Sequence, residues 1–93
     1  MTTEVSVVPQ GDESFRVEVR SGGVTTSHTV DVPHGLAEEL GWGEAGEADL
    51  VRESFAFLLE REQATSILRR FSLDMIGRYF PEYPSEIRRR HRA

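Results

Sequence analysis

Apolar and polar residues alternate with a period of two along three segments in the first third of the chain. These segments are 3–8, 14–21 and 24–32. Period-two alternation of β-branched and aromatic residues is typical of strands with one buried face. The three segments follow one another with short connections, so they predict a three-stranded antiparallel β-meander.

A Gly22–Gly23 pair separates the second and third predicted strands. A two-residue hairpin turn needs positive φ, which glycine adopts without steric cost. If the two glycines form the loop, Ser21 pairs with Val24 and Val17 lies opposite His28. One face of the hairpin then carries Phe15, Val17, Val19, Val24, Val30 and Val32. The other face carries charged and hydroxyl side chains, so we expect it to face water.

Helical patterns follow the strands. They cover residues 33–40, 47–62, 66–71 and 73–80. In the second of these helices the apolar residues spread over about half the circumference, so we expect it to be central, with Phe55, Leu58 and Leu59 largely buried. Residues 42–46 form the loop before this helix, and we expect Trp42 to anchor that loop in the core. Together the patterns predict a single α+β domain spanning 1–93, in which the N-terminal meander packs against three to four C-terminal helices.

Charge is distributed unevenly along the chain, which has a net charge of −5. Residues 38–62 contain eight acids and two arginines, whereas residues 63–93 contain three acids and seven arginines. Such asymmetry bears on the partners of a protein rather than on its fold. Two interpretations are open: the basic end binds a partner, or it lies against the acidic middle of the same molecule.

The sequence carries no pattern that is typical of a catalytic or metal site. It has no cysteine, which excludes a disulfide framework, thiolate catalysis and a cysteine zinc site. His28 is the only histidine within a predicted strand, and we expect it to be structural and hydrogen-bonded to backbone. A pH-sensitive or catalytic imidazole is the alternative for this residue. We therefore expect no catalytic residue, no metal, no cofactor and no enzymatic activity.

The chain also shows no pattern that is typical of membrane proteins. Its longest apolar run, Phe55–Leu59, is far shorter than a membrane span. The first residues lack the basic and apolar regions of a signal peptide. We therefore expect a cytoplasmic protein without membrane contact.

Aromatic residues and arginines are concentrated towards the C-terminus. Residues 78–84 contain three aromatics and two prolines, more than a short helix needs for its own packing. Aromatic residues and arginine are enriched at the centres of protein interfaces. The predicted interaction surface consists of Arg78, Tyr79, Phe80, Tyr83, Arg88, Arg89 and Arg90. The alternative is that Tyr79 and Phe80 close the core of the protein itself.

The last residues, 88–93, form a basic run. Ile87 is the last apolar residue with a reason to dock, so we expect a solvated tail whose removal leaves the fold intact. Nucleic-acid binding by the arginines is the alternative. It is the weaker interpretation, because the acidic remainder of the chain repels phosphate.

The helical part of the chain resembles a known group of sequences. Segments 54–62, 66–71 and 76–83 read SFAFLLERE, SILRRF and IGRYFPEY. They resemble a group of small uncharacterised bacterial proteins with the pattern SFxFLLERE…SILxxF…IxxYFPEY after a strand-rich start, a resemblance that implies no activity. A looser likeness to HicB-type antitoxins rests on architecture alone, because the short signature expected near their start is absent.

These observations favour a small non-enzymatic interaction module that binds another protein. One alternative is an antitoxin-like regulator that masks a basic partner with its acidic middle, and another is a weak nucleic-acid binder that uses the arginine tail. The predicted third strand carries no charge before Asp31, so it would be an unguarded sheet edge. We therefore expect a homodimer through this strand, through the segment 79–83, or through both.

Overall fold

The computed structural model describes residues 3–11 and 13–92, without the side chains of His91 and Arg92. Within these residues the chain forms a four-stranded sheet in the order β1-β2-β3-β4 together with four α-helices. The strands are β1 (Glu4–Pro9), β2 (Ser14–Ser21), β3 (Val24–Asp31) and β4 (Arg70–Ser72). The helices are α1 (Leu36–Glu39), α2 (Glu47–Leu59), α3 (Ile76–Tyr79) and α4 (Tyr83–Arg92). The predicted α+β class is confirmed.

The hairpin of β2 and β3 has the predicted register. Ser21 pairs with Val24, and Val17 pairs with His28. Gly22 and Gly23 have φ angles of 57° and 83°, so both occupy the left-handed region that a two-residue type I′ turn requires. The strand β1 pairs antiparallel with β2 on the other side. The predicted antiparallel meander therefore exists as the first three strands of the sheet.

The fourth strand corrects the prediction of a helix over 66–71. Ala64–Ser66 forms a single 3₁₀ turn, and Arg70–Ser72 then pairs with β3 in parallel. The Thr29 amide donates a 2.6 Å hydrogen bond to the Arg69 carbonyl. The periodicity of a short apolar run does not distinguish a strand from a helix. Here pairing with β3 determines that Arg70–Ser72 is a strand. The sheet is mixed, and β3 is not an edge along its whole length.

The other predicted helices are present but shorter than expected. Residues 33–40 contain only the single turn of α1, and α2 ends at Leu59 instead of residue 62. The segment 73–80 divides into a 3₁₀ turn at Leu73–Met75 and the short α3. In the part of the chain that the structure describes, no helix combines the length and the hydrophobicity needed to cross a bilayer.

The core lies between the inner face of the sheet and the helices. Phe55 is fully buried, Leu58 and Trp42 are buried, and Leu59 is half-buried at the edge of the core. The fully buried apolar residues of the sheet and of α2 are Val17, Val19, Val30, Leu50, Val51, Phe55 and Phe57. Burial of the α2 residues confirms that this helix is central.

The C-terminal residues correct the prediction of a solvated tail. They continue α4 as far as Arg92, and Ala93 lies outside the described residues. The indole Nε1 of Trp42 donates a buried 2.9 Å hydrogen bond to the Ile87 carbonyl. Beyond Ile87, the Arg88 guanidinium donates to the Glu39 carbonyl, and Arg90 contacts Glu53 of α2 and Glu60 just after it. Part of the charge asymmetry is thus satisfied within the molecule.

Candidate functional site

Tyr83 does not belong to an interaction surface, contrary to the prediction. Its side chain is only 2% exposed and lies against α2. The Tyr83 hydroxyl and the Ser54 hydroxyl form a buried 2.7 Å hydrogen bond. Burial raises the pKa of Tyr83 to about 12, because the phenolate form would lose its hydration. Tyr83 therefore holds α4 on α2.

Arg90, another residue of the predicted interaction surface, lies against the acidic middle of the chain, which was the alternative interpretation of the charge asymmetry. Its side chain is 17% exposed and forms ion pairs with Glu53 of α2 and with Glu60, the residue that follows α2. The hydrogen bond from Arg90 holds the pKa of Glu60 below its ordinary value of 4.5, because it stabilises the ionised carboxylate. The Arg90 guanidinium thus contacts acids of its own chain.

The other two arginines of the predicted surface remain accessible on α4. The Arg88 guanidinium reaches the Glu39 carbonyl at 3.1 Å but is exposed. The Arg89 side chain is 73% exposed, and its contact with Glu86 is 3.5 Å long. Both side chains border solvent.

The remaining predicted residues, Arg78, Tyr79 and Phe80, stay together at the end of α3. Tyr79 is 66% exposed, and Arg78 is exposed with no ion-pair partner among the described residues. Phe80 is half-buried and packs edge-to-face on Phe57 with ring centroids 5.8 Å apart. Each of the two interpretations, core closure and interaction surface, therefore fits one residue. Phe80 packs against the core, and Tyr79 faces water.

Tyr79 and Phe80 line a groove with a volume of about 450 Å³. Its buried lining includes Leu58, Ile67, Phe71 and Ile76, and its exposed lining includes Leu68 and Tyr79. We call this surface the apolar groove. The end of α2, the segment before β4 and the short α3 contribute to it. Leu68 is 51% exposed there.

His28 fixes the segment that carries Leu68. The ring of His28 is buried, and its Nδ1 donates a 2.8 Å hydrogen bond to the Leu68 carbonyl. The Thr26 hydroxyl and Nε2 form a 2.9 Å hydrogen bond. Both nitrogens are engaged, and the ring also packs on Phe55. The prediction that His28 is hydrogen-bonded to backbone is confirmed.

A second groove, of about 740 Å³, follows the outer edge of β3. Its lining is polar apart from Ala64 and Ile67, and the polar residues include Arg16, Thr25, Ser27, Thr65, Arg69 and Arg70. We call this surface the edge groove. Ile67 lines both grooves, so the segment before β4 separates them. One groove offers apolar area, and the other offers hydrogen-bonding groups and positive charge.

Sequence reasoning missed Ile67 and Leu68 as site residues because it placed both in a short helix over 66–71. In the extended segment they point in opposite directions, so Ile67 is buried and Leu68 is exposed. The stretch from Ile67 to Phe71 shows no period-two alternation, so no local signal in the sequence separates the two residues. The edge groove was missed for the same reason, since Arg69 and Arg70 join it only through β4.

Comparison of the chain with known protein families, curated proteins and solved structures finds no match. Among residues 3–11 and 13–92, no three acidic or histidine side chains are arranged to hold a metal ion. A function for this chain is therefore argued from its surface chemistry.

Proposed function

We propose that this protein is a small non-enzymatic interaction module that binds another protein through the apolar groove. The observation that carries the proposal is the exposure of Leu68 and Tyr79 beside a lining of buried apolar residues. Large apolar side chains grouped around a concave apolar surface are characteristic of interaction sites. A partner side chain placed there would remove Leu68 and Tyr79 from water.

The groove favours an apolar or aromatic side chain of the partner. Its lining is aliphatic and aromatic apart from Glu62 and Ser66. Tyr79 offers a ring with a polar end, a combination that suits the rim of an interface. Arg78 lies next to Tyr79 and has no ion-pair partner in the described part of the chain, so a partner carboxylate can reach it.

The antitoxin-like alternative finds less support on the acidic surface of α2. A protein that masks a basic partner needs free carboxylates, but Glu60 and Glu53 contact Arg90. Glu60 and Glu82 also contact Arg61. These acids are partly neutralised by arginines of the same chain, and the apolar groove is the better supported site.

The expected homodimer is the second candidate for the apolar groove. Leu68 and Tyr79 are exposed in the single chain, and a second copy could cover both across a two-fold axis. Sedimentation at tens of micromolar would then give a mass near twice 10.5 kDa. A monomeric mass would leave a different protein as the partner.

The variant Leu68→Glu tests the proposed function because it places a charge on the rim of the apolar groove. Val8→Glu is the matched control, since Val8 is 54% exposed on the opposite side of the sheet. Partners would be cross-linked in cells, purified with each variant and quantified by mass spectrometry. We expect Val8→Glu to retain the partner and Leu68→Glu to lose it. Equal recovery with both variants would refute binding at the groove.

A further inference from the structure

The hydrogen-bonding pattern of β3 leaves part of its outer edge open. Thr29 donates its amide to Arg69, on the side away from β2. Residues of an antiparallel strand alternate between bonding one neighbour and the other, so the backbone groups of Thr25 and Ser27 also point away from β2. The strand β4 covers only Thr29–Asp31. Thr25 and Ser27 therefore present amides and carbonyls without backbone partners among the described residues.

The open edge lies inside the edge groove, where positive charge is in excess. Arg16, Thr29 and Arg70 form a row across three strands, because Arg16 pairs with Thr29 and Thr29 with Arg70. Arg69 and Arg70 are exposed and have no ion-pair partner in the residues that the structure describes. Arg16 is 3.2 Å from Glu18, which neutralises part of its charge. The surplus positive charge therefore belongs to Arg70, the first residue of β4, and to Arg69 just before it.

We propose that the edge groove binds an acidic, extended segment of another protein, which joins the sheet as a strand beside Val24–Ser27. The segment would occupy the line that β4 occupies further along β3. Its backbone would pair with Thr25 and Ser27, as in other cases of strand addition. Its carboxylates would meet Arg70 on the outer face, where arginine binds them in a bidentate manner.

The two sides of the edge groove differ in polarity, so they favour an added strand whose side chains alternate between acidic and aliphatic. Arg16 and Arg70 lie on the outer side, whereas Ala64 and Ile67 lie on the side of the core. Side chains of an extended segment alternate between two faces. A segment in which acidic and aliphatic residues alternate therefore satisfies both sides at once.

A second copy of this chain is a poorer occupant of the edge groove. Paired across a two-fold axis, its β3 would bring serine and threonine side chains and no acid before Asp31, so Arg69 and Arg70 would remain unpaired. A nucleic acid would neutralise the arginines but would not pair with the amides and carbonyls of a strand. Only an acidic polypeptide uses both features.

The proposal rests on the proposed function in that both require a protein partner, but it concerns a different surface. Its test uses a fluorescein-labelled eight-residue peptide of alternating valine and glutamate, with fluorescence anisotropy as the readout. A peptide with lysine in place of glutamate is the control ligand. We expect the glutamate peptide to bind and the lysine peptide to fail.

Two pairs of variants test the two interactions separately. Ser27→Pro removes an outward amide that does not bond β2, whereas Ser27→Ala keeps it. We expect Ser27→Pro to weaken peptide binding about tenfold or more and Ser27→Ala to bind as the parent does.

Arg69→Gln with Arg70→Gln should also weaken binding. Arg52→Gln with Arg89→Gln changes the net charge equally and should not.

Several outcomes would overturn the proposal. Absence of peptide binding would do so, and so would binding that neither Ser27→Pro nor the Arg69 and Arg70 double variant affects. Selective binding of a labelled oligouridylate would assign the arginines to nucleic acid instead. A dimer that Ser27→Pro dissociates in sedimentation would assign the edge to a second copy.

The variant Leu68→Glu separates this proposal from the proposed function. Because Leu68 lines the apolar groove and not the edge groove, peptide binding should survive this substitution. If the peptide does not bind but Leu68→Glu still loses the cellular partner, strand addition is refuted and the apolar groove stands. If the peptide binds and Leu68→Glu retains every partner, the apolar groove is refuted and the edge groove stands.

Discussion

The guanidinium of Arg90 donates two 2.7 Å hydrogen bonds from one nitrogen to the two carboxylate oxygens of Glu60. This contact joins α4 to the residue that follows α2, thirty positions earlier in the chain. The Arg90 side chain also lies 5.8 Å from the Phe57 ring centroid, so the charged group packs over an aromatic face. The basic end of the chain is thus part of the folded unit.

Loss of the Arg90 contacts should lower stability. We expect Arg90→Ala to reduce the free energy of unfolding by about 1 kcal/mol, since Glu60 is solvent-exposed and its ion pair is partly screened. Arg89→Ala is the matched control and should change it by less than about 0.5 kcal/mol. Deletion of residues 88–93 should cost at least as much as Arg90→Ala. Urea denaturation measures all three, and a deletion variant as stable as the full chain would contradict this role.

The Glu60 contact should make stability depend on pH in the acidic range. The pKa of Glu60 is lower in the folded protein than its ordinary value of 4.5, mainly because of the hydrogen bond from Arg90. The stabilisation is therefore present above pH 4.5 and is lost as the pH falls through the lowered folded-state pKa. We expect the stability difference between the parent and Glu60→Gln to shrink below pH 4.5. A difference that stays constant would show that Glu60 does not contribute through its charge.

The buried pair of Tyr83 and Ser54 should behave as a unit. Tyr83→Phe leaves the Ser54 hydroxyl buried without its partner, which costs about 1–3 kcal/mol. Adding Ser54→Ala removes the orphaned group, so the double variant should recover much of the loss. Thermal denaturation of the four proteins forms a double-mutant cycle. Strict additivity of the two single effects would argue against the hydrogen bond.

The same tyrosine should make the fold sensitive to alkali. Its pKa rises from the ordinary value of 10.0 to about 12 on folding, because burial disfavours the phenolate. The stabilisation is complete below pH 10 and is lost as the pH rises through about 12. We expect the parent to lose stability over this range and Tyr83→Phe to lose less. Parallel losses in both proteins would exclude Tyr83 as the cause.

The turn between β2 and β3 should reject a β-branched residue for conformational reasons alone. Gly23 has a φ of 83°, and a Cβ built at this position meets no atom within 4 Å. We expect Gly23→Val to cost about 1–2 kcal/mol, because an L residue is strained there. Gly23→Asn should cost less, since asparagine tolerates the left-handed region. Similar melting temperatures for both variants would show that the turn relaxes.

Local patterns in the sequence determined the hairpin and the central helix. Period-two alternation on both sides of Gly22–Gly23 leaves one register in which all apolar side chains share a face, and the structure has that register. The wide apolar face of α2 likewise required burial on several sides. Each of these signals lies within about 20 consecutive residues, so neighbouring positions suffice to interpret it.

Contacts between distant parts of the chain decided the candidate sites. The segment 66–71 suits a helix or a strand by its own pattern, and only pairing with β3 and the bond from His28 to Leu68, forty residues apart, hold it extended. That pairing exposes Leu68, brings Arg69 and Arg70 to the sheet edge and leaves Thr25 and Ser27 open. Tyr83 and Arg90 resemble interface residues in composition, but partners on α2 and just beyond its end turn them inward. The type of a residue does not tell whether its partner lies in the same chain or in another protein, because an aromatic ring or a guanidinium makes the same contacts with either.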